Sequence, residues 1–400
     1  MKDEIKKFVQ LTKDQGLYPD MPLVDYGSTE PEVFIGGKKY LMFCSNNYLG
    51  LATTPNVKLA AMEAIERHGL GPCGSRLLAG NLSLLGELEN LVANLVQKEA
   101  AIVFVTGYMA NLGAIPAFVN PLFGDMPFKS DDSIIFSDEF NHATIIDGCR
   151  LSKVEKIIYK HKDTVDLEEK IKQTKKNNIF IVTDGIFSMD GDITPLSDLV
   201  KIKNKYNATI MVDDAHSTGV LGKTGAGTAE YFGVSDETDI IMGTFNKGFG
   251  GMGGFIAADK YTIDYLRIAA RSYVFSLALP AVIAAGVIAS IKESAKKPDL
   301  RNNLLENAHY LRDNAKKLGF TVLGDGTAIN PILIGDELKG VEFSRRLFEN
   351  NIFAPCVRWP AVQKGKSRIR LVVMASHKKE HIDALLNHLE SIGRSLQIIS

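Results

Sequence analysis

The chain has 400 residues, of which 45% are apolar and 23% charged, with a formal net charge of −1. That is the balance of a globular enzyme, and its near-neutrality argues against electrostatic capture of nucleic acid. The longest apolar run, LALPAVIAAGVIASI, is about 15 residues with an internal proline, short of the ~20 that a membrane span needs.

Taken in chain order, the start MKDEIKKFVQ is charged and lacks an apolar centre, so no secretory signal is expected there. A helical pattern follows in LSLLGELENLVANLVQ, with leucines and valines three and four apart. AIVFV (101–105), SIIF (133–136), IFIVT (179–183), TIMV (209–212), DIIM (239–242) and GFIAA (254–258) are near-continuous apolar runs that suit strands buried on both faces. Their alternation with helical patterns predicts an α/β domain with a mostly parallel sheet. After about residue 290 the texture changes to long charged helices, RNNLLENAHYLRDNAKKLG and HKKEHIDALLNHLESIGRSL, around the strands PILIG and SRIRLVV. This reads as a smaller α+β lobe. The four cysteines, Cys44, Cys73, Cys149 and Cys356, form no C-x-x-C pair, which favours reduced thiols in a cytoplasm over disulfides or a zinc site.

In such a sheet ligands bind beyond the C-terminal strand ends. After AIVFV, Thr106-Gly107-Tyr108 opens a helix whose free N–H groups suit a phosphate, although Thr106 serves equally as a plain N-cap. After SIIF stands His142, a ligand or a capping group, and after IFIVT stands Ser188, in a turn that needs no function. After TIMV come Asp213 and Asp214, with His216 close behind; two acids after a buried strand require partners, functional or structural. GFGGMG at Gly248 fits a dinucleotide fingerprint but feeds a strand, and GKT at Gly222 has Ser217 where a phosphate loop needs glycine.

Lys247 lies in GTFNKGFGG between two apolar strands. Desolvation there would lower its basicity and favour a Schiff base with an aldehyde, and the glycines would leave room for a flat ring. A reactive lysine, an aspartate for a ring nitrogen and a phosphate cup at successive strand ends are what pyridoxal phosphate requires.

Over nearly its whole length the sequence resembles the α-oxoamine synthase family of fold-type-I pyridoxal-phosphate enzymes. The motifs are CSNNYLGL, GSRLLAGN, TGYMAN, DEFNHAT, TDGIFSMDGD, DDAHSTGVLG, GTFNKGFG, RSYVFSLALP and SRIRLVVMASH. The resemblance implies a large cofactor-binding α/β domain over 56–288 with a seven-stranded type of sheet, and a small α+β domain over 289–400. Residues 1–55 would pack on the small domain and on a partner subunit. It implies that Lys247 binds the cofactor and acts as base, that Asp213 holds the ring nitrogen, that His142 stacks on the ring and that His216 bonds its phenolic oxygen. Ser188 would lie beside the ring. Gly107, Tyr108 and Thr244 would form the phosphate cup, completed by Ser276 of the neighbouring subunit of a homodimer. Arg370 would take the amino-acid carboxylate; Arg368 shares its face by periodicity, with a surface ion pair as its alternative role. Asn46, in the SNNYLGL segment expected near the interface, and Ala361 would border the substrate.

The implied reaction condenses an amino acid with an acyl-CoA thioester, releasing CoA and, in most branches, CO2. NHATIIDGCRLSK and NIFAPCVRWPAVQKGKSRIRL come nearest the branch that joins L-alanine to a pimeloyl thioester. That branch carries RPPTV where this chain has Arg358-Trp359-Pro360-Ala361-Val362, so a substrate-contacting threonine is replaced and an indole added. Trp359 would then shorten the acyl tunnel. Branches using serine with a long acyl chain, or glycine with acetyl-CoA, and beyond them an aminotransferase, are the alternatives.

Overall fold

The computed structural model describes residues 1–18, 21–121 and 129–400, which divide into two compact units. One comprises Met1–Asn46, Met189–Gly191 and Asn302–Ser400; the other comprises Asn47–Ser188 and Asp192–Arg301.

The second unit is built on seven strands: β1 (Ala100–Phe104), β2 (Ser133–Asp138), β3 (Glu155–Tyr159), β4 (Asn178–Asp184), β5 (Thr209–Asp213), β6 (Ile240–Thr244) and β7 (Gly254–Ala258). Their order is β1-β7-β6-β5-β4-β2-β3. Only β7 runs against its neighbours, β1 and β6, so the sheet is mostly parallel. All six apolar runs of the sequence are strands. The seventh, β3, escaped notice because EKIIY is an edge strand exposed at three of its five residues, without the run of buried β-branched side chains that central strands need. On one face, Ile102, Phe104, Met211, Met242 and Ile256 pack against Ala110, Ala114 and Ile115 of the helix Gly107–Val119 and against Ile263 and Leu266 of Lys260–Ala269. The small side chains of the first helix let it lie close to the sheet and carry its N-terminus to the strand ends.

The other unit holds a three-stranded antiparallel sheet in the order Ile329–Gly335, Ser367–Val372, Cys356–Val357, with the long helices Glu337–Glu349 and Lys379–Ser395. A four-stranded sheet pairs Val24–Tyr26, Glu32–Ile35, Lys38–Met42 and Ile352–Phe353 around Val33, Ile35, Tyr40, Met42 and Met374. Among the described residues no helix is long and apolar enough to cross a membrane.

One ionic tie braces the strand ends of the large sheet. His161 Nδ1 lies 2.9 Å from Asp138 Oδ1 at the end of β2, and its Nε2 lies 2.8 Å from Asp192 Oδ2. Burial works against the imidazolium, but the hydrogen bonds to both carboxylates outweigh it and hold the ring up to about 9. A pKa raised on folding contributes stability that is complete below the unfolded value near 6.5 and is lost as pH rises through about 9. His161→Gln is therefore expected to lower the melting temperature by a few degrees at pH 6. The gap from wild type should close above the folded pKa of about 9 in a calorimetric series; a gap that stays constant with pH would contradict the charge-based account.

Candidate active site

The parallel strands β1, β2, β4, β5 and β6 all end at one edge of the sheet, and a cavity of about 360 Å³ opens there. It is lined by Gly107 and Tyr108 after β1, His142 after β2, Asp213 and His216 at β5, Thr244 at the end of β6, and Lys247 beyond it. Seven residues singled out in the sequence thus face one space.

Thr106 is the N-cap of Gly107–Val119, its Oγ1 accepting from Met109 N at 3.1 Å. The capping and ligand readings of this turn are compatible, because N–H groups at a helix start have no acceptor within the helix and Gly107 and Tyr108 line the cavity. A Cβ at position 107 would stand 2.4 Å from Thr244 Cγ2 and 2.8 Å from Met242 Cε, so only glycine lets the turn meet β6. The Tyr108 hydroxyl donates to Asp147, itself paired with Arg150.

Asp213 is 2% exposed. Its Oδ2 accepts from Asn111 Nδ2 at 2.7 Å and its Oδ1 from Ala215 N at 3.0 Å. Two neutral donors orient the carboxylate without cancelling its charge, which suits a cationic ring nitrogen. Asp214 turns away into the core, where the Thr228 N–H and hydroxyl donate to it at 2.8 and 2.6 Å; burial still pushes its carboxyl up to about 6. The adjacent acids therefore divide, one into the cavity and one structural. His216 Nδ1 lies 2.6 Å from the Tyr48 hydroxyl, and Thr244 Oγ1 donates to Ala215 O at 3.2 Å, joining β6 to β5. His142 keeps an exposed surface on the cavity wall, yet desolvation holds it below the usual imidazole range, outweighing the nearby Asp213 charge, with Lys247 adding to the effect. A neutral, flat ring on the cavity wall suits stacking.

Lys247 is half-buried rather than enclosed, and its side chain reaches the cavity. Contrary to the expectation above, the glycines after it do not make room for a ring. A Cβ at Gly248 would lie 2.5 Å from Thr218 O, and one at Gly250, where φ is +62°, would lie 2.6 Å from Ala52 N. They let the lysine loop lie flat on neighbouring backbone; at the cavity itself the glycines are Gly107 and Gly253.

Ser188 is partly buried in the turn after β4, and Ser276 stands between the exposed Phe275 and Leu277; neither lines the cavity of this chain. In the other unit, Arg370 Nη1 lies 3.4 Å from Asn46 Oδ1. Arg368 is 5% exposed and pairs with Asp190 at 2.5 Å while donating to Met189 O at 3.0 Å. Its ion pair is a buried one, not a surface one, because every residue of Ser367–Ile369 is buried where strict alternation would have exposed some. Ala361 is exposed, and Trp359 is 52% exposed with Lys364 Nζ 5.1 Å from its ring centre.

Asp184, Asn111 and Thr144 were not picked from the sequence. Asp184 ends β4 beside Asp213, and its Oδ2 accepts from His142 N at 2.7 Å. Burial, reinforced by the Asp213 charge, pushes its carboxyl well above the usual range, against the His142 N–H and the Lys247 charge. The acid at the end of IFIVTD carried the same signal as Asp213. Asn111, one turn into a helix, carried none.

The donor set fits pyridoxal phosphate: one amine, an oriented carboxylate, a flat neutral ring and a helix start whose glycine cannot be replaced without collision. The family description "Aminotransferase class I and II" matches residues 38–389. The chain is 43% identical to an 8-amino-7-oxononanoate synthase of Lysinibacillus sphaericus over 400 residues, the full length of both. A serine palmitoyltransferase from Sphingomonas wittichii superposes with a TM-score of 0.91 at 30% identity, covering 100% of this chain and 98% of that one. A structure of SPT with PLP internal aldimine gives 0.92 at 30% identity, covering 99% and 98%.

The contact between Gly107 and Thr244 yields a test. Gly107→Ala is expected to weaken pyridoxal phosphate binding about tenfold, the scale of one overpacked methyl, with the fold retained. Spectroscopic titration of apoprotein would read it, and wild-type affinity would mean that the turn does not cradle the cofactor.

Proposed function

Because the chain belongs to the class I and II aminotransferase family of fold-type-I pyridoxal-phosphate enzymes, we propose that it condenses L-alanine with a pimeloyl thioester, releasing CoA and CO2 to give 8-amino-7-oxononanoate for biotin synthesis. The observation that carries this reading is the 43% identity to an 8-amino-7-oxononanoate synthase without a gap in coverage at either end. The cavity supports it by gathering the residues this chemistry uses.

Pyridoxal phosphate, when bound, supplies an electron sink for negative charge at the substrate Cα. Lys247, the lysine among the described residues that line the cavity, would hold the cofactor aldehyde through Nζ and would move the Cα proton. Asp213, oriented by Asn111 and Ala215, would keep a proton on the ring nitrogen. His142 would cover the ring face, and His216, braced by Tyr48, would bond the phenolic oxygen. Gly107, Tyr108 and Thr244 would take the phosphate; the family pattern assigns Ser188 a place beside the ring, although it does not line the cavity of this chain. Of the two strand arginines, Arg370 is assigned the amino-acid carboxylate, since Arg368 is committed to Asp190. Asn46 and Ala361 are assigned to substrate.

A homodimer completes the reading, with the partner subunit's Ser276 at the phosphate. Phe275 and Leu277 beside that serine are 72% and 60% exposed, and Leu70, Leu77 and Leu78 are 80%, 57% and 81% exposed. The two segments are joined by Ala278 N donating to Gly74 O at 3.0 Å, so they present apolar surface together, as an interface does. A cytoplasmic setting is supported by four cysteines that all remain free thiols.

The experiment is CoA thiol release by cofactor-loaded protein, crossing alanine, glycine and serine with acetyl-, pimeloyl- and palmitoyl-CoA. Release with alanine and pimeloyl-CoA is expected; release only with glycine and acetyl-CoA, or only with serine and palmitoyl-CoA, would move the chain to another branch. Silence with every pair would bring forward an aminotransferase. Lys247→Ala is expected to abolish both turnover and the absorbance of the lysine-bound cofactor, and wild-type turnover in that variant would refute its role.

A further inference from the structure

Along the cavity, whose lining includes His142, Thr144 and Asp213, four side chains form one chain of hydrogen bonds. Asn111 Nδ2 donates to Asp213 Oδ2 at 2.7 Å and to Thr144 Oγ1 at 2.9 Å. Thr144 Oγ1 lies 2.9 Å from His142 Nδ1, and Thr144 N donates to that same nitrogen at 3.3 Å.

The direction of every bond follows from what each group can do. An ionised carboxylate only accepts, so the Asn111 amide must turn its nitrogen to Asp213; the flipped amide would set oxygen against oxygen. The second amide proton then occupies a lone pair of Thr144 Oγ1, and the hydroxyl proton is left for His142 Nδ1. A backbone N–H aimed at Nδ1 excludes a proton on that nitrogen as well. The one proton of a neutral ring therefore sits on Nε2. The arrangement leaves Asn111 Oδ1, fully buried, without a partner among the described residues. A side chain kept only for packing has no reason to carry that cost.

We propose that Asn111 and Thr144 are positioning residues that lock His142 as the Nε2–H tautomer with its proton toward the cavity, and that tie the ring to the orientation of Asp213. This deepens the functional reading above and rests on it for its kinetic part. An N–H donor on the cavity wall attracts a carboxylate or thioester oxygen, whereas the other tautomer would present a lone pair and repel it. The titratable groups that face His142 are Asp213, Lys247 and Asp184, whose Oδ2 takes the His142 backbone N–H.

The first test needs no turnover. Solid-state 15N NMR of holoenzyme labelled at the histidine rings, with His142→Asn to assign the signal, is expected to show the Nε2–H tautomer near neutral pH. A ring protonated at Nδ1, or at both nitrogens, overturns the proposal. The second test compares Thr144→Val, which keeps the shape and loses the hydroxyl, with Thr144→Ser, which keeps the hydroxyl. The valine variant is expected to lose about tenfold in kcat, the scale of one hydrogen bond, with KM for the amino acid nearly unchanged. Its acid limb should move to higher pH, because Nδ1 has lost a donor that favours the neutral ring, and serine should restore both. Wild-type kcat and an unmoved limb in the valine variant overturn the proposal. Should that variant not fold, the tautomer of the wild-type ring decides alone. A wild-type protein that releases no CoA would sink the functional reading, and the NMR result would still judge the proposal.

Discussion

Three aspartates stand side by side at the centre of the large sheet, and the site depends on how their negative charge is managed. Asp184 and Asp213 are register partners on β4 and β5, and Asp214 follows directly. Buried carboxylates so close cannot all remain charged and unassisted. Asp214 is absorbed by Thr228, and Asp184 caps the His142 backbone N–H and is pushed toward its neutral form. Asp213 is left as the acceptor that faces the cavity, oriented by neutral donors, with Lys247 lining the same space. The charge pattern of the cavity is therefore specific: an oriented carboxylate, which suits a flat cation, and a lysine amine line the same space.

This division of labour explains why part of the site was legible in the sequence. Lys247, Asp213, His142 and Gly107 each follow a buried apolar run, and the topology of a parallel sheet sends every such position to the same edge. Asn111 and Thr144 act through helix geometry and through each other, and no one-dimensional pattern marks that contact. The edge strand Glu155–Tyr159 was hidden for the opposite reason, since half-exposed strands lack the signature of central ones. The glycines around Lys247 were noticed but misassigned: a sequence shows that backbone must come close to something, and only the structure shows that the something is Thr218 and Ala52. Arg368 and Arg370 were inseparable by periodicity, and the buried partner Asp190, far away in sequence, distinguishes them.

The proposed function divides reaction type and substrate choice between different parts of the chain. The cavity residues belong to the Asn47–Ser188 and Asp192–Arg301 unit, where strand ends fix them within a close-packed core. The segment with Arg358, Trp359 and Ala361, where this chain departs from the pimeloyl-using pattern, lies on the other unit and is largely exposed. Changes in such a segment disturb little packing. On the proposed function, core-bound residues would hold the cofactor chemistry constant, while an exposed segment would be free to vary with the acyl group.

The buried pair of Arg368 and Asp190 has a consequence for how this chain can be cut and recombined. Asp190 belongs to a three-residue excursion, Met189–Gly191, inserted in the middle of the larger unit's sequence yet compact with the C-terminal one. Thr327 Oγ1 and Asp325 N both bond Gly191 O, so the excursion is stitched in by more than one contact. A C-terminal fragment expressed alone, or exchanged between relatives, would arrive without its internal counter-ion and leave a guanidinium stranded in the core. Positions 190 and 368 are thus a compatibility code: chimaeras joined near residue 300 inherit the two halves from different parents, and those parents must agree on the pair.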